Sequence, residues 1–396
     1  MIKRDLFYRL KKHLDNKEAL VVTGMRQVGK TTILKQLFEE INSPFKLFLD
    51  LENVLYRKYF EDFNYDEVNK TIRNLIRAKP EDRVYLFLDE IQHVKRLPSL
   101  LKYLGDHYNY KFFLTGSVSF YLKNLFSESM AGRKFLFELF PLSFAEFLRF
   151  KKVPFSSPVL EERISQPIFE TFNTYYKEYV TYGSFPAVAL AKSVDEKEKI
   201  INEIFSAYFE KEVINFSDFR KNKTVRDLML LLLNRTGQKL DLTKLSSELG
   251  ITRITLSQYL SFLEGTYFIK MVRPFSRNLD VEIRETPKIY VCDSGIAHII
   301  GKAPFGQVFE TAICHQLNLK QSKTAFTSTL NYYQKKSGVE IDFILDKKIA
   351  FEVKETVHYN DLKKLEKISQ ELKLKKFRLI SYRYSPLKQT IFGFQI

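Results

Sequence analysis

The 396-residue sequence has no tryptophan, two cysteines, six histidines, twelve prolines and fourteen glycines. Two cysteines, Cys292 and Cys314, cannot build a disulfide framework or a four-ligand zinc site, so both read as small core residues in a reducing compartment. The histidines show no metal-ligand spacing. With so little glycine and proline, collagen-like chains, long linkers and wholesale disorder are excluded. No apolar run approaches the roughly 18 residues that cross a bilayer. The longest, around Leu228 to Leu233, stops at Asn234 and Arg235. The opening MIKRDLFYRLKKHLDNKE is charged throughout and lacks an apolar secretory stretch, so a cytoplasmic protein with no membrane partner is expected.

What is present is an ordinary globular composition, 45% hydrophobic and 28% charged. Its length suits two or three domains at about 150 residues each. The aromatics, 36 Phe and 22 Tyr, are better explained by core packing than by base stacking. Lysine and arginine number 63 against 47 acidic residues, a formal charge of +16. Half of that surplus lies in Leu319 to Ile396, with 16 basic and 8 acidic residues. A polyanionic partner suits this balance, and so does a solvated basic surface.

The strongest signal is Gly24-Met25-Arg26-Gln27-Val28-Gly29-Lys30-Thr31, an ungapped G-x-x-x-x-G-K-[ST]. Leu20 to Thr23 before it reads as a buried strand, and Ile33, Leu34, Leu37, Phe38 and Ile41 after it recur at helical spacing. Glycines let backbone N–H groups and a helix N-terminus close around phosphate oxygens. Residues 24 and 26–32 (Gly24, Arg26, Gln27, Val28, Gly29, Lys30, Thr31, Thr32) are therefore the expected nucleotide-binding set. Lys30 would reach the β- and γ-phosphates, and Thr31 would ligate Mg²⁺. Downstream, Val84 to Glu90 is an apolar run ending in Asp89-Glu90, the Walker B pattern. Asp89 would hold Mg²⁺ through water and Glu90 would polarise the attacking water. A third strand ends in Leu114-Thr115-Gly116-Ser117, where Ser117, or failing that Thr115, would sense the γ-phosphate or orient the water.

GMRQVGKT, LFLDEIQ, LTGS, AGRKFLFELFPLSFAEFL and YGSFPAV, in this order, resemble the prokaryotic AAA-type ATPases that carry a DUF4143 region. The resemblance covers nearly the whole chain and implies an ATP-binding core of the additional-strand type, with Asp89 and Glu90 in the Walker B roles. It marks Arg133, in Ala131-Gly132-Arg133, as the arginine to face a nucleotide, with Arg26 as runner-up. An arginine finger placed at a neighbour's γ-phosphate would couple hydrolysis to a homo-oligomer. Met25 stands where the commoner motif has proline, a position that offers only backbone.

After Pro141 the pattern turns helical, and Ser143 to Glu146 is a capping box. Leu242 to Ile251 and Ile254 to Glu264 follow helix-turn-helix grammar, and Phe268 to Phe275 alternates like a wing. Thr252, Arg253, Thr255, Ser257 and Gln258 would then face a duplex. Equally, this small domain would pack on its neighbours or oligomerise. The last hundred residues read as a helix, three strands, a helix and a strand. They resemble the restriction-endonuclease-like fold of PD-(D/E)xK nucleases, through Asp342 and Glu352-Val353-Lys354, with Glu310 on the preceding helix and Glu340 assisting. Carboxylates on neighbouring strands can share Mg²⁺, and a lysine beside them can steady a nucleophilic water. A working nuclease, an inactive relic that binds nucleic acid and a structural module are all compatible with these residues.

The expected fold is α/β. A parallel-sheet AAA-type core (1–140) precedes a helical region (141–222), a winged-helix-like domain (223–300) and a nuclease-like domain (301–396). The expected function is ATP hydrolysis coupled to engagement of DNA, branched DNA by preference, with an ATP-driven switch acting on protein partners as the alternative.

Overall fold

The computed structural model describes residues 2–61, 64–116, 132–158, 160, 163–214, 222–276, 278, 282, 285–323, 328–335 and 337–396. The chain divides into two compact units, Met1–Phe140 with Gly265–Tyr267, and Pro141–Glu264 with Phe268–Ile396.

In the first unit β1 (Ala19–Thr23), β2 (Lys46–Asp50), β3 (Val84–Asp89), β4 (Tyr110–Gly116) and β5 (Lys134–Glu138) form a sheet in the order β2-β3-β4-β1-β5. Every neighbouring pair is parallel. Strands β1, β3 and β4 are buried almost throughout, because a parallel sheet is covered on both faces; hence they read as unbroken apolar runs. β4 lies between β1, which ends at Gly24, and β3, which ends in Asp89. This is the inserted-strand order expected of an AAA-type core. Parallel strands bring all their carboxyl ends to one edge, so loops far apart in sequence meet there. The helix Lys30–Glu40 buries Ile33, Leu34 and Leu37, and the helix Leu97–His107 adds Leu97, Leu100, Leu101 and Leu104 to a core shared with Leu86 and Leu88.

The second unit opens with the predicted capping box: Ser143 N–H donates to Glu146 Oε2 at 3.0 Å and Glu146 N–H to Ser143 Oγ at 3.2 Å. Further along come the helix Asn222–Asn234, β6 (Gln238–Lys239), the helices Leu242–Glu248 and Arg253–Gly265, β7 (Ile269–Pro274) and β8 (Lys288–Val291). Asp241 caps the first helix of the pair, and Gly250, at φ +61°, turns the chain into the second. β6, β8 and β7 pair antiparallel beside the two helices, the strand arrangement that the winged-helix expectation calls for.

The hairpin is not a free wing, however. The outer edge of β7 pairs in parallel with β9 (Leu330–Gln334), Arg273 opposite Asn331 and Pro274 opposite Tyr332. One sheet therefore runs β13-β12-β11-β10-β9-β7-β8-β6, crossing position 300 without a break. Its other strands are β10 (Glu340–Leu345), β11 (Ile349–Lys354), β12 (Lys376–Ser381) and β13 (Thr390–Phe392). β9, β10 and β11 are antiparallel, and β12 returns parallel to β11 after the helix Tyr359–Glu371. That helix packs Leu362, Leu365 and Ile368 against Ile341, Ile344, Ala350 and Leu379.

Candidate nucleotide site and carboxylate cluster

The loop after β1 closes on itself. Lys30 is buried, and its Nζ donates to the carbonyls of Gly24 and Met25, 2.9 Å each. Gly29, at φ +98°, and Gln27, at φ +62°, hold left-handed backbone that turns successive N–H groups into the loop. A Cβ on Gly24 would stand 2.0 Å from the Leu139 carbonyl oxygen, so only glycine fits there. Val28 is buried, whereas Gln27 and Thr32 are exposed.

On the facing strand Asp89 is 2% exposed. It accepts hydrogen bonds from Thr115 and Thr31. Burial raises its carboxyl above the usual aspartate range, and those two hydroxyls pull it back. Thr31 and Asp89 thus share one spot and present hard oxygen donors, a set that suits Mg²⁺ held mainly by substrate phosphates. Glu90 adopts φ +53°, rare for a residue with a Cβ, which turns its carboxylate out of the strand line. Gln92 donates to Glu90 Oε2 at 2.5 Å, and Arg26 Nη1 lies 3.9 Å from Glu90 Oε1. The predicted nucleotide set and both Walker B acids are therefore together at one sheet edge.

Of the third-strand pair, Thr115 is the one seen to engage, through Asp89, while Ser117 lies outside the described residues. Arg133 lies at the opposite edge. It precedes Lys134, the partner of Ala19 at the start of β1, roughly 17 Å along the strand from Gly24, and it pairs with Asp106 at 2.8 Å. The arginine beside Glu90 is Arg26. Sequence reading missed Arg4, a buried residue whose Nη1 donates to Val28 O at 2.8 Å and whose Nη2 donates to Phe140 O at 2.9 Å. It braces the loop from 24 positions upstream, and no motif announces it.

On the helix Arg253–Gly265 and the turn before it, Thr252, Arg253, Ser257 and Gln258 are exposed, while Thr255 is half-buried against the Thr252 hydroxyl at 2.9 Å.

In the carboxyl part the structure gathers Glu310, Glu340, Asp342, Glu352 and Lys354 as the sequence pattern suggested, with the β10 ladder shifting register between Ile341 and Ile344. Two further residues stand among them, Lys288 and Tyr290 of β8. Lys288 Nζ is 3.3 Å from Glu310 Oε1 and 3.6 Å from Asp342 Oδ1, and it pairs with Glu340 Oε1. Tyr290 OH donates to Glu310 at 2.5 Å, Val353 N–H to Asp342 Oδ2 at 2.8 Å, and Lys354 pairs with Glu352 at 2.8 Å. Burial, with Asp342 nearby, raises both Glu310 and Glu352 above the usual carboxylate range. Burial alone would lower Lys288, but Glu310, Asp342 and Glu340 together raise it. The Mg²⁺ site implied by the nuclease resemblance does not fit this arrangement. A Mg²⁺ ion needs oxygens at about 2.1 Å, and an ammonium stands between them. Among the described residues no group of acidic, histidine or cysteine side chains has metal-holding geometry.

The inserted-strand order, the glycine loop and the paired acids define the AAA-type P-loop class. Residues 16–148 match the family described as AAA domain, 173–304 a domain of unknown function (DUF8612), and 305–389 a domain of unknown function (DUF4143). The first third of the chain thus carries the AAA-domain match and the last part the DUF4143 match, on a fold of the P-loop type. It is 27% identical to an uncharacterized protein of Haemophilus influenzae over 86% of this chain and 84% of that one. It is 26% identical to one from Methanocaldococcus jannaschii over 97% and 85%. Solved structures that it resembles include a Walker-type ATPase of Pyrococcus abyssi, with 15% identity, TM-score 0.45 and 76% and 96% of the two chains covered. Another is the Aeropyrum pernix ORC1 protein in complex with DNA, with 14% identity, TM-score 0.33 and 76% and 92% covered. Among the described residues no helix is long and apolar enough to cross a membrane.

Proposed function

We propose that this chain binds ATP with Mg²⁺ at the loop of residues 24–32, hydrolyses it, and couples turnover to engagement of DNA, branched DNA by preference. The observation that carries the catalytic part is the meeting of Lys30, Thr31, Asp89, Thr115 and Glu90 at one sheet edge. Thr31 and Asp89 would hold Mg²⁺, which neutralises phosphate charge. Lys30 binds and orients the transferring phosphate, and Glu90, adjacent but turned outward, accepts a proton from the attacking water. Arg133, remote from its own loop, serves the site of a neighbouring copy in a homo-oligomer. Support for DNA is weaker in kind: an exposed helix face with Arg253 and Gln258, and the basic surplus of the last 78 residues.

The test is turnover of wild type, Lys30→Ala and Glu90→Gln with no DNA, duplex, forked and four-way DNA. Turnover stimulated by DNA, with binding that weakens as salt rises, supports the proposal. Hydrolysis indifferent to every nucleic acid points instead to a switch acting on protein partners. Arg253→Ala should lower the salt slope of DNA binding by about one and weaken all sequences alike. An unchanged slope removes the helix Arg253–Gly265 from the interface.

Arg4→Ala should weaken ATP binding about tenfold or more, because two buried carbonyls lose a charged donor and the loop loses its brace. Titration of a fluorescent ATP analogue checks this; affinity equal to wild type would make Arg4 merely structural.

A further inference from the structure

The carboxylate cluster has its own cation. Lys288 belongs to β8, in the winged-helix hairpin, yet its ammonium lies among acids of β10 and of the helix Phe305–Lys323. The sheet brings these distant strands face to face, with the Tyr290 and Phe343 rings 5.3 Å apart. Lys288 is 5% exposed, so its charge has left water and is answered by Glu310, Glu340 and Asp342, with the Tyr332 ring 5.7 Å away. The other oxygens are satisfied by protein in part, and Glu352 Oε2 is buried without a hydrogen-bond partner among the described residues. Asp342 Oδ2 accepts from Val353 N–H, Tyr290 donates to the same Glu310 Oε1 that faces Lys288, and Glu352 Oε1 is paired with Lys354. A lysine ammonium is a compact point charge with three donors, and it can satisfy three carboxylates at once as a divalent ion would. Unlike an ion, it carries no water to activate and has no open position for a phosphodiester oxygen.

We infer that the nuclease-like domain is neutralised from within by Lys288, so that its acidic centre is a fixed joint between the winged-helix hairpin and the carboxyl sheet, and the domain contacts DNA without cutting it. The contact with DNA rests on the function proposed above; the closed state of the acidic centre does not. One physical consequence is that the three carboxylates become a divalent-cation site only when the ammonium is removed. Lys288→Met keeps a stem of similar length and deletes the charge, leaving hard oxygens in a half-buried pocket.

The experiment uses the full chain, free of nucleotide, titrated with Mn²⁺ while free Mn²⁺ is followed by electron paramagnetic resonance. In parallel, four-way and duplex DNA are incubated with the chain in Mg²⁺ or Mn²⁺. Wild type is expected to show no uptake that depends on Asp342 and to leave DNA intact. Lys288→Met should take up Mn²⁺ at least tenfold more tightly, and Lys288→Met/Asp342→Asn should lose it again. Uptake or cleavage by wild type that Asp342→Asn abolishes overturns the inference. A folded Lys288→Met chain with no uptake overturns it too, since the ammonium is then not what fills the site. If Lys288→Met fails to fold, wild type against Asp342→Asn still decides, with Lys288→Gln as second variant. Absence of any DNA binding would sink the DNA reading and leave the Mn²⁺ result standing.

Discussion

Glu90→Gln is expected to lower ATP turnover by about 10²–10⁴, the usual worth of a positioned general base, while leaving affinity for the nucleotide with Mg²⁺ near that of wild type. Geometry sets this split between rate and binding. Asp89 is the buried acid, tied to Thr31 and Thr115, whereas Glu90 is turned out of the strand by its left-handed backbone and held by Gln92 and Arg26. Glutamine keeps the shape and one acceptor but cannot take a proton. Lys30→Ala should do the opposite, removing the point charge inside the loop and weakening binding first. Single-turnover rates and equilibrium binding on the same preparations separate the two. Turnover of Glu90→Gln within threefold of wild type would move the base elsewhere.

The second large effect concerns stability of the second unit. Asp293 caps the helix Ser294–Ile299, and its buried carboxylate accepts from the N–H groups of Gly295 (2.9 Å), Ile296 (3.3 Å) and Ser184 (2.8 Å), and from the Ser184 hydroxyl (3.1 Å). The YGSFP stretch of residues 182–186 is thereby fastened to a helix more than a hundred positions on. Asp293→Ala orphans three buried backbone donors at about 1–3 kcal/mol each, so a loss of at least about 3 kcal/mol is expected. That corresponds to a fall of about 6–12 °C in the midpoint of this unit's thermal transition. Gly183→Ala should act on the same joint, because a Cβ would sit 1.8 Å from Asp293 Oδ1 at a residue with φ +80°. Calorimetry of both variants checks the pair, and a midpoint within 2 °C of wild type would refute the account.

This carboxylate also fixes a pH signature. Burial pushes Asp293 up to about 6 despite the hydrogen bonds that lower it. The folded chain holds the proton more tightly than the unfolded one, so the contribution of this group to stability is complete below pH 4. It is lost as pH rises through 6, by about 3 kcal/mol in all. Asp293→Asn, which has no titration, should lose that part of the slope. Identical pH profiles for wild type and Asp293→Asn in urea denaturation would contradict the assignment.

Which parts of the molecule were legible in sequence follows from the range of the interactions involved. The glycine loop, its strand and helix, and the acid pair ending β3 are each written within a dozen residues. Local backbone demands and apolar periodicity therefore name them without tertiary knowledge. The same holds for the capping box at Ser143, the two helices around Gly250, and the helix-strand order of the carboxyl part. Tertiary structure alone decided that Thr115 reaches Asp89, that Arg4 braces Val28, that the expected wing is laddered to β9, and that Lys288 stands among Glu310, Glu340 and Asp342. In each case a side chain or a strand edge meets a partner 22 to 58 positions away, and local patterns carry no information about such partners. Glu310, Glu340 and Asp342 were visible as acids on a helix and a strand; that Lys288 of β8 is the cation among them is a fact of how the strands are arranged in the sheet.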